Sequence, residues 1–456
     1  MGAARECIFL EGETAAMAMV VKNNLSAKNT LNQLNKNEKA TAKDLKKLAS
    51  GMKINSAADD ASGYAISDRM DVQLRSLEQD NQNAQNGSAL LRTAEGAVSS
   101  TVDILRTLKE KVINAANDTN TDADRATIQK ELDQSVDQLE ENANVTYNGQ
   151  QLVDGSQNSL VLDPGTCTTF ANTSLAIGTD SGVTPLTDMK ERDGNSLGIQ
   201  IGDTVSVYYV KNGETSGRSI TVDEDSTLSD LFSSWSMNDV LGVPYDEDNP
   251  SLIGKDQYGQ EVHTADGKDA VVYQAQVPGL KGQIAGLTFQ VTRSDGTVNK
   301  TASGKLDDFK EVIRAQDPSP DNSISFQVGT RSNQSVRIGL TDMRPTALGL
   351  RATDGTTLNI RTQENARAAV NVLDNALEKA LDEQTKIGSV TSRLGYTSSN
   401  ITVSSENTQS SMSVIRDADM ASTMTDYTKN NVLTQAAQSM LAQANQSSSS
   451  VLSLLQ

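Results

Sequence analysis

The sequence has very few of the side chains on which most enzyme sites depend. Its 456 residues include one histidine, His263, and two cysteines, Cys7 and Cys167. A zinc site or a disulfide framework needs several such residues at close spacing, so neither is predicted. Paired histidines one helical turn apart, as in metalloproteases, cannot be formed. Cys167 also has no neighbouring histidine base to make it a nucleophile. We therefore predict a protein that is not an enzyme and has no cofactor or metal.

Positive charge and long apolar runs are also scarce. Lys and Arg number 40 against 59 Asp and Glu, which gives a formal net charge of -19. Nucleic acids and anionic membrane surfaces are bound by clustered Lys and Arg, so neither partner is predicted. No apolar run reaches the roughly 18 residues that a membrane-spanning helix needs. Acidic residues interrupt the short apolar run near the N-terminus, so no cleavable secretory signal is predicted either.

Proline is missing from both flanks of the chain. All 8 prolines lie between Pro164 and Pro345, and proline breaks helix interiors because it lacks an amide donor and clashes with the preceding turn. The flanks are therefore free to form very long helices. Between them, β-branched runs separated by glycine-containing turns predict a β-rich insert with one short helix at 226–235, which includes Trp235. The predicted strands lie at 203–210, 219–222, 270–273 and 287–291.

Apolar residues recur every seven positions in both flanks. The series are Met70, Leu77, Ala84, Leu91, Val98, Leu105 and Val112, and Ala366, Leu373, Ala380, Ile387, Leu394 and Ile401. This spacing keeps one apolar stripe on a slightly supercoiled helix, and each stripe needs a partner. Three- and four-residue steps from Ile128 to Leu139 predict a further helix, and 117–124 has the Asn, Asp and Thr content of a turn with an N-cap. The pattern predicts one long antiparallel helical bundle.

Weaker apolar stripes lie at the two ends. They consist of Leu31, Leu34, Leu45, Leu48 and Met52 near the N-terminus, and Leu433, Ala437, Met440, Leu441, Ala444 and Val451 near the C-terminus. The remaining faces are mostly Asn, Gln, Ser, Thr and Lys. Isolated helices of this composition are marginal in water. We predict that these tips stay disordered until a partner covers them.

Several segments, taken together, resemble the bacterial flagellins. They are 48–70 (LASGMKINSAADDASGYAISDRM), 93–98 (TAEGAV), 148–155 (NGQQLVDG), 325–340 (SFQVGTRSNQSVRIGL) and almost all of 411–456. These are similar to the family's N-terminal signature, the turn after its second bundle helix, its β-hairpin and its C-terminus. Because the motifs occur in order at matching distances, over about 18–156 and 322–456, the resemblance is specific.

The resemblance implies a mainly α fold with an inserted β-rich domain. A terminal coiled coil would be formed by 17–60 and 411–456, and a helical bundle with a β-hairpin by 61–156 and 322–410. The insert, 157–321, would project outward as a variable β-rich domain. Family members begin near the residues that match Met17, so 1–16 is interpreted as an extension from a mis-assigned start.

The function implied by the resemblance is that of a secreted structural subunit. Copies of the chain would polymerise into the extracellular flagellar filament used for swimming motility. In the family, export runs through the flagellar secretion apparatus, and a dedicated chaperone covers the C-terminal helices. A filament cap guides insertion, and junction proteins adjoin the filament base. These partners follow from the resemblance alone.

Four polar residues of the N-terminal signature are candidates for an assembly joint. They are Asn55, Asp59, Asp60 and Arg69. The acidic pair Asp59 and Asp60 is of a type that can bind a metal ion or act in general acid–base catalysis. However, 56–60 has the pattern of a helix start, where Ser and Asp cap free amides. We therefore expect these residues to set the joint between tip and bundle helices.

A second role implied by the resemblance is recognition by the animal Toll-like flagellin receptor. The matching face comprises Arg106, Thr107, Lys109 and Glu110, with Glu131 beside them. Thr107 stands where strongly stimulating members carry arginine, and Lys111 stands where they carry leucine. Threonine cannot replace the planar, multidentate donor of arginine. We predict weak or absent signalling.

Two other functions fit part of the pattern. A hook–filament junction protein shares paired terminal helices, although INSAADDASGYAISDRM, and LAQANQ followed by VLSLLQ, favour a filament subunit. A secreted adhesin or enzyme would borrow flagellin-like ends for export and carry its function in 157–321. No nucleophile–base pair or metal cluster is apparent there, which leaves glycan or host binding as that alternative.

Overall fold

The computed structural model describes residues 24–176, 184–228, 230–233, 241–242, 251–265, 267–268 and 270–454. The predicted extension 1–16 and Trp235 lie outside these residues. The described helices are α1 (Leu25–Ser50), α2 (Ala61–Ala115), α3 (Asp122–Ala143), α4 (Asp230–Ser233), α5 (Lys300–Leu306), α6 (Gln363–Arg416) and α7 (Met420–Leu454).

The described strands are short and pair in antiparallel fashion throughout. They are β1 (Thr146–Tyr147), β2 (Gln150–Gln151), β3 (Thr169–Asn172), β4 (Leu175–Ala176), β5 (Lys190–Glu191), β6 (Thr204–Lys211), β7 (Glu214–Thr221), β8 (Leu241–Gly242), β9 (Leu252–Lys255), β10 (Glu261–His263), β11 (Val271–Ala275), β12 (Ile284–Thr292), β13 (Lys310–Ile313), β14 (Ile324–Gln327) and β15 (Ser335–Ile338). The predicted mainly α fold with a β-rich insert is confirmed.

The chain divides into two compact units. The first consists of Met1–Glu78 and Thr402–Gln456, and the second of Gln79–Ile401. Helices α2 and α6 contribute residues to both units. The finer three-part division expected from the sequence stays a prediction.

In the first unit, α1 and α7 lie side by side and antiparallel. Asn24 Nδ2 donates to the Ala444 carbonyl at 3.1 Å, and Asn430 Nδ2 donates to Asp44 Oδ2 at 2.7 Å. Leu34 and Ala437 are the buried apolar side chains among the described residues of these helices. Both ends are therefore helical, as their apolar stripes predict, but the interface between them has little apolar content. Their ordering on assembly stays a prediction.

The second unit contains the predicted antiparallel bundle of α2, α3 and α6. The repeating residues from Leu91 to Val112 on α2 are buried in one core with those from Ala366 to Leu394 on α6. Leu132, Val136 and Leu139 of α3 complete this core. The heptad prediction is thus confirmed, because each stripe buries its narrow apolar face against the others.

The turn between α2 and α3 also forms where it is predicted. Thr121 is the N-cap of α3: its hydroxyl accepts the Asp124 amide, and the Asp124 carboxylate accepts the Thr121 amide in return. This is a capping box. Buried Arg125 closes the end of α2, since its Nε donates to the Ala115 carbonyl at 2.9 Å and its Nη2 to the Asn117 carbonyl at 3.0 Å.

The described part of the insert contains a four-stranded sheet ordered β13-β3-β11-β8, a three-stranded sheet ordered β12-β6-β7, and the two-stranded sheets β10-β9 and β4-β5. The predicted strands correspond to β6, β7, β11 and β12, and the resemblance correctly placed the hairpin of β14 and β15. The predicted helix at 226–235 is observed only as α4 (Asp230–Ser233), and part of its range lies outside the described residues. Helix α5 was not predicted; it packs on β12, where Ser303 Oγ accepts the Val291 amide at 2.8 Å.

The insert contacts α6 directly instead of being joined to the bundle by linkers alone. Asn371 Nδ2 donates to the Leu287 carbonyl at 3.1 Å, and Asn375 Nδ2 donates to the Ala285 carbonyl at 2.9 Å. At Gly286, a Cβ atom would lie 2.8 Å from a Val372 methyl group. Glycine is needed here because β12 passes so close to the helix.

None of the described helices combines the length and the apolar composition required to cross a bilayer.

Candidate assembly surfaces

The joint between the terminal helices and the bundle helices is built on a reversal at Gly51. Gly51 ends α1 with a φ of 71°, and its amide donates a hydrogen bond to the Lys47 carbonyl at 2.8 Å. The chain then pairs with the segment between α6 and α7. Lys53 N donates to the Arg416 carbonyl at 2.8 Å, and Ala418 N donates to the Gly51 carbonyl at 2.9 Å. The two polypeptide arms are therefore hydrogen-bonded to each other at this point.

Asp59 is the polar centre of the joint. Its carboxylate accepts hydrogen bonds from the Asn55 amide and the Ser56 hydroxyl, both at 3.2 Å, and lies 3.1 Å from the Lys43 ammonium. Lys43, followed by the Asn55 amide, holds the pKa of this carboxyl below its usual range. Asp59 is consequently charged at neutral pH, and it ties the end region of α1 to the start of α2.

Asp60 caps the start of α2. Its Oδ1 accepts the amides of Ser62 and Gly63, each at 3.0 Å. A Cβ atom at Gly63 would lie 2.5 Å from Asp60 Oδ2 and 2.7 Å from the Ile54 side chain, so a larger residue would require these two side chains to move. An Asp at this place satisfies free amides and favours the helix dipole.

The structure brings Asn55, Asp59 and Asp60 together but places Arg69 elsewhere. Arg69 Nε donates to the Ala65 carbonyl of its own helix at 3.3 Å. Within the described part of the chain, no hydrogen bond or ion pair joins Arg69 to the other three. Sequence reasoning missed Lys43 and Lys53. The Lys53 ammonium donates to the Val414 carbonyl at 2.8 Å. Neither lysine belongs to a local pattern that reveals its partner.

The terminal helices expose many large apolar side chains. Those exposed on α1 and α7 are Leu25, Leu31, Leu45, Met420, Met424, Val432, Leu433 and Met440. Large exposed apolar side chains that concentrate on one pair of helices mark an interaction site when they form a patch. The pair is therefore a candidate surface for contact with further protein.

The residues that the resemblance assigns to receptor recognition lie on α2 and α3, and most of them have partners within the chain. The Lys109 ammonium is bound to the Asp374 carboxylate of α6, and Lys111 lies 3.0 Å from Glu131 of α3. Arg106 lies 3.3 Å from Asp103 on the same helix. Thr107 donates its hydroxyl to the Asp103 carbonyl at 3.0 Å, and Glu110 is exposed.

The described residues contain no group of three or more His, Cys, Asp or Glu that would hold a metal ion. Burial raises the pKa of the Cys167 thiol, which disfavours the reactive thiolate. A cavity of about 150 Å³ beside α6 is lined by three cations. Arg314, Arg344 and Lys379 are each paired with an acid of the same chain. The cavity thus offers no uncompensated charge for an anionic ligand.

An antiparallel helical bundle and a pair of terminal helices with exposed apolar side chains are features of a structural protein that self-assembles. Comparison with known proteins makes the class specific. The family description "bacterial flagellin N-terminal helical region" matches residues 21–158, and "bacterial flagellin C-terminal helical region" matches residues 370–455.

Individual relatives match nearly the whole chain. A flagellin from Clostridium tyrobutyricum is 32% identical over 94% of this chain and 99% of its own length. A flagellin from Bacillus subtilis is 26% identical over 96% of this chain and all of its own length. Among solved structures, hook associated protein-3 from Legionella pneumophila is 14% identical, covers 76% of this chain and 98% of its own, and has a TM-score of 0.33.

The chain belongs to the bacterial flagellins. It is a structural subunit of the flagellar filament that self-assembles into a polymer and serves motility.

Proposed function

We propose that copies of this chain join through the exposed apolar faces of α1 and α7. The observation that carries this proposal is the row of exposed Leu, Val and Met side chains on a helix pair with almost no apolar interior. Burying those side chains against further copies stabilises both the contact and the pair. Because the contact joins different surfaces of successive copies, it leads to an open helical polymer.

Electron microscopy of the purified full chain under polymerising conditions tests this proposal. We expect long filaments from the intact chain and none from a variant that lacks 420–456. Circular dichroism and thermal unfolding check that the shortened variant retains its helical bundle. Filaments formed without 420–456 would refute the proposed surface.

We further propose that Asp59 fixes the direction in which the tip helices leave the bundle helices. The charged Asp59 connects Lys43 on α1 with Asn55 and Ser56 before α2. Asp59→Asn keeps the shape but removes the charge, and it should impair filament formation while the melting temperature of the bundle stays the same. Asp68→Asn, an exposed acid near the start of α2, is the matched control. Equal filament yields from both variants would argue against this role.

We infer that the filament is extracellular and that export uses the flagellar secretion apparatus. The exposed apolar side chains of α7 need a cover before assembly, which supports binding of a dedicated chaperone to the C-terminal helix. We also propose that a distal cap covers incoming subunits while they fold, and that junction proteins contact the subunits at the filament base. Loss of the flagellar secretion apparatus in the native bacterium should retain the chain inside the cell. Undiminished extracellular protein would refute this route.

Signalling through the Toll-like receptor is proposed to be weak. Lys109 and Glu131 are neutralised by partners within the chain, and Thr107 donates to its own helix. A reporter-cell assay should give a weak response for the native chain and a stronger one for T107R with K111L. A native response equal to that of a strongly stimulating flagellin would overturn the proposal.

A further inference from the structure

The described methionines range from buried to exposed, with Met52, Met70 and Met412 in between. Met189 and Met343, in the second compact unit, are 7% and 2% exposed. Met420, Met424 and Met440, all on α7, are 45%, 47% and 63% exposed. Thioether oxidation by small oxidants depends on access to the sulfur. The free subunit therefore presents three exposed methionine side chains on one helix.

These three side chains lie outside the α7 face that packs on α1. That face is marked by Asn430, which donates to Asp44, and by buried Ala437. Because α1 does not cover Met420, Met424 and Met440, further copies of this chain are the partners that would cover them. This step rests on the proposed assembly through α1 and α7.

We propose that Met420, Met424 and Met440 are oxidation sites that control assembly, with hydrogen peroxide or hypochlorous acid as the oxidant. The thioether sulfur takes up one oxygen atom and becomes a sulfoxide, so the sulfur is oxidised by two electrons. Hydrogen peroxide is reduced to water, or hypochlorous acid to chloride and a proton. No backbone bond is broken, and a methionine sulfoxide reductase can reverse the change.

A sulfoxide oxygen on this helix would need a hydrogen-bond donor once it is buried between copies. Three hydroxyls close in sequence already have an acceptor, and of these Thr428 Oγ1 donates to the Met424 carbonyl at 2.8 Å. Thr425 Oγ1 donates to the Ala421 carbonyl at 2.9 Å, and Ser439 Oγ to the Gln435 carbonyl at 3.1 Å. A polar acceptor buried without a donor opposes association, whereas the thioether is readily buried.

Peptide mass spectrometry after peroxide treatment tests whether assembly covers these sulfurs. In the free full-length subunit, we expect Met420, Met424 and Met440 to oxidise much faster than Met189 and Met343. In preformed filaments, the three sulfurs should be protected by about tenfold or more. Equal oxidation rates in subunit and filament would show that the three side chains are not covered by other copies, and would overturn the inference.

Variants test whether these sulfurs control polymerisation. After peroxide treatment, the native subunit should need about a tenfold higher concentration to form filaments. M420L/M424L/M440L should polymerise normally and resist peroxide, because leucine is apolar and of similar volume. M420Q/M424Q/M440Q should mimic the oxidised state without peroxide. M189L/M343L, which keeps the three exposed methionines, is the control and should remain sensitive.

The outcomes separate this inference from the proposed assembly surface. Filaments that form normally after all three methionines are oxidised would overturn the inference and leave the assembly proposal intact. The inference would also be overturned if the triple leucine variant lost polymerisation on peroxide treatment as the native chain does. Failure of the untreated native chain to polymerise would instead count against the assembly proposal itself.

Discussion

The Lys379 ammonium on α6 lies 3.1 Å from the Glu311 carboxylate on β13, and the two side chains are 7% and 3% exposed. Burial raises the pKa of Glu311 and lowers the pKa of Lys379, because each charge has lost most of its hydration. Neither Glu311 oxygen accepts a well-aligned hydrogen bond from the described residues. The pair therefore joins the insert to the bundle at a high desolvation cost.

Removing one member of this pair should destabilise the protein more than removing both. Lys379→Met leaves a buried carboxylate without its partner, and the expected loss is about 3 kcal/mol in the free energy of unfolding. The double variant K379M/E311L should be close to the native chain, since methionine and leucine pack without any charge to desolvate. Denaturant unfolding of the native chain, K379M, E311L and the double variant gives the coupling energy, and strictly additive losses would contradict this account.

Asp307 should make stability depend on pH. It lies at the end of α5 and accepts the Phe289 amide at 2.9 Å and the Asn371 side-chain amide at 3.2 Å. Burial is the main cause that raises its pKa from 3.8 to about 6. The folded protein therefore binds a proton at Asp307 between these two values, where the unfolded chain does not.

The sign of the effect follows from this difference in proton binding. The free energy of unfolding increases as the pH falls from about 6 to about 4, because the folded state binds a proton at Asp307, and it decreases again as the pH rises. The contribution of Asp307 to this change is at most about 3 kcal/mol. Unfolding free energies of the native chain and of Asp307→Asn should be measured from pH 4 to 7. The difference between the two proteins should change across this window, and a constant difference would show that Asp307 titrates normally.

The bundle could be predicted from the sequence because its signal is repetitive and local. A seven-residue apolar spacing fixes which face of α2 or α6 is buried, whatever the partner helix is. The turn before α3 was equally accessible, since Thr121 and Asp124 cap the helix within four residues. In both cases the physical cause and the sequence pattern lie in the same stretch of chain.

The polar contacts of the joint and of the insert were not predictable in the same way. Lys43 pairs with Asp59, and Lys379 with Glu311, only because tertiary packing brings separate elements together. Helix α5 was missed because it is short and contains Gly304, which has low helix propensity. It is held by contacts with β12 that no local pattern reveals.

Arg125 should contribute more to stability than any exposed arginine of the bundle. Its buried guanidinium donates to the Ala115 and Asn117 carbonyls and pairs with Asp122 at 2.9 Å. Arg125→Met removes the donor of the Ala115 carbonyl and leaves the Asn117 carbonyl with the Asn120 amide at 3.3 Å, and we expect a loss of about 2 kcal/mol. Arg106→Met, which removes an exposed ion pair with Asp103, should cost less than about 0.5 kcal/mol. Thermal and denaturant unfolding compare the two variants, and equal losses would contradict the capping role.

The terminal helices should be the least protected helices of the free subunit. Leu34 and Ala437 are the buried apolar side chains among the described residues of α1 and α7, whereas the bundle buries its apolar stripes on three helices. Helix pairs with so little apolar burial open easily in water. The first effect of assembly on the chain is therefore expected at its ends.

Amide hydrogen exchange of the free subunit and of the filament measures this difference. In the free subunit, peptides from α1 and α7 should exchange on the order of a hundredfold faster than those covering 91–112 of α2. In the filament, the terminal peptides should slow to rates close to those of the bundle, because further copies cover the exposed Leu, Val and Met side chains. The 91–112 peptides provide the internal control, since their exchange should change little on assembly. Terminal helices that exchange as slowly as the bundle in the free subunit would show that they fold without a partner.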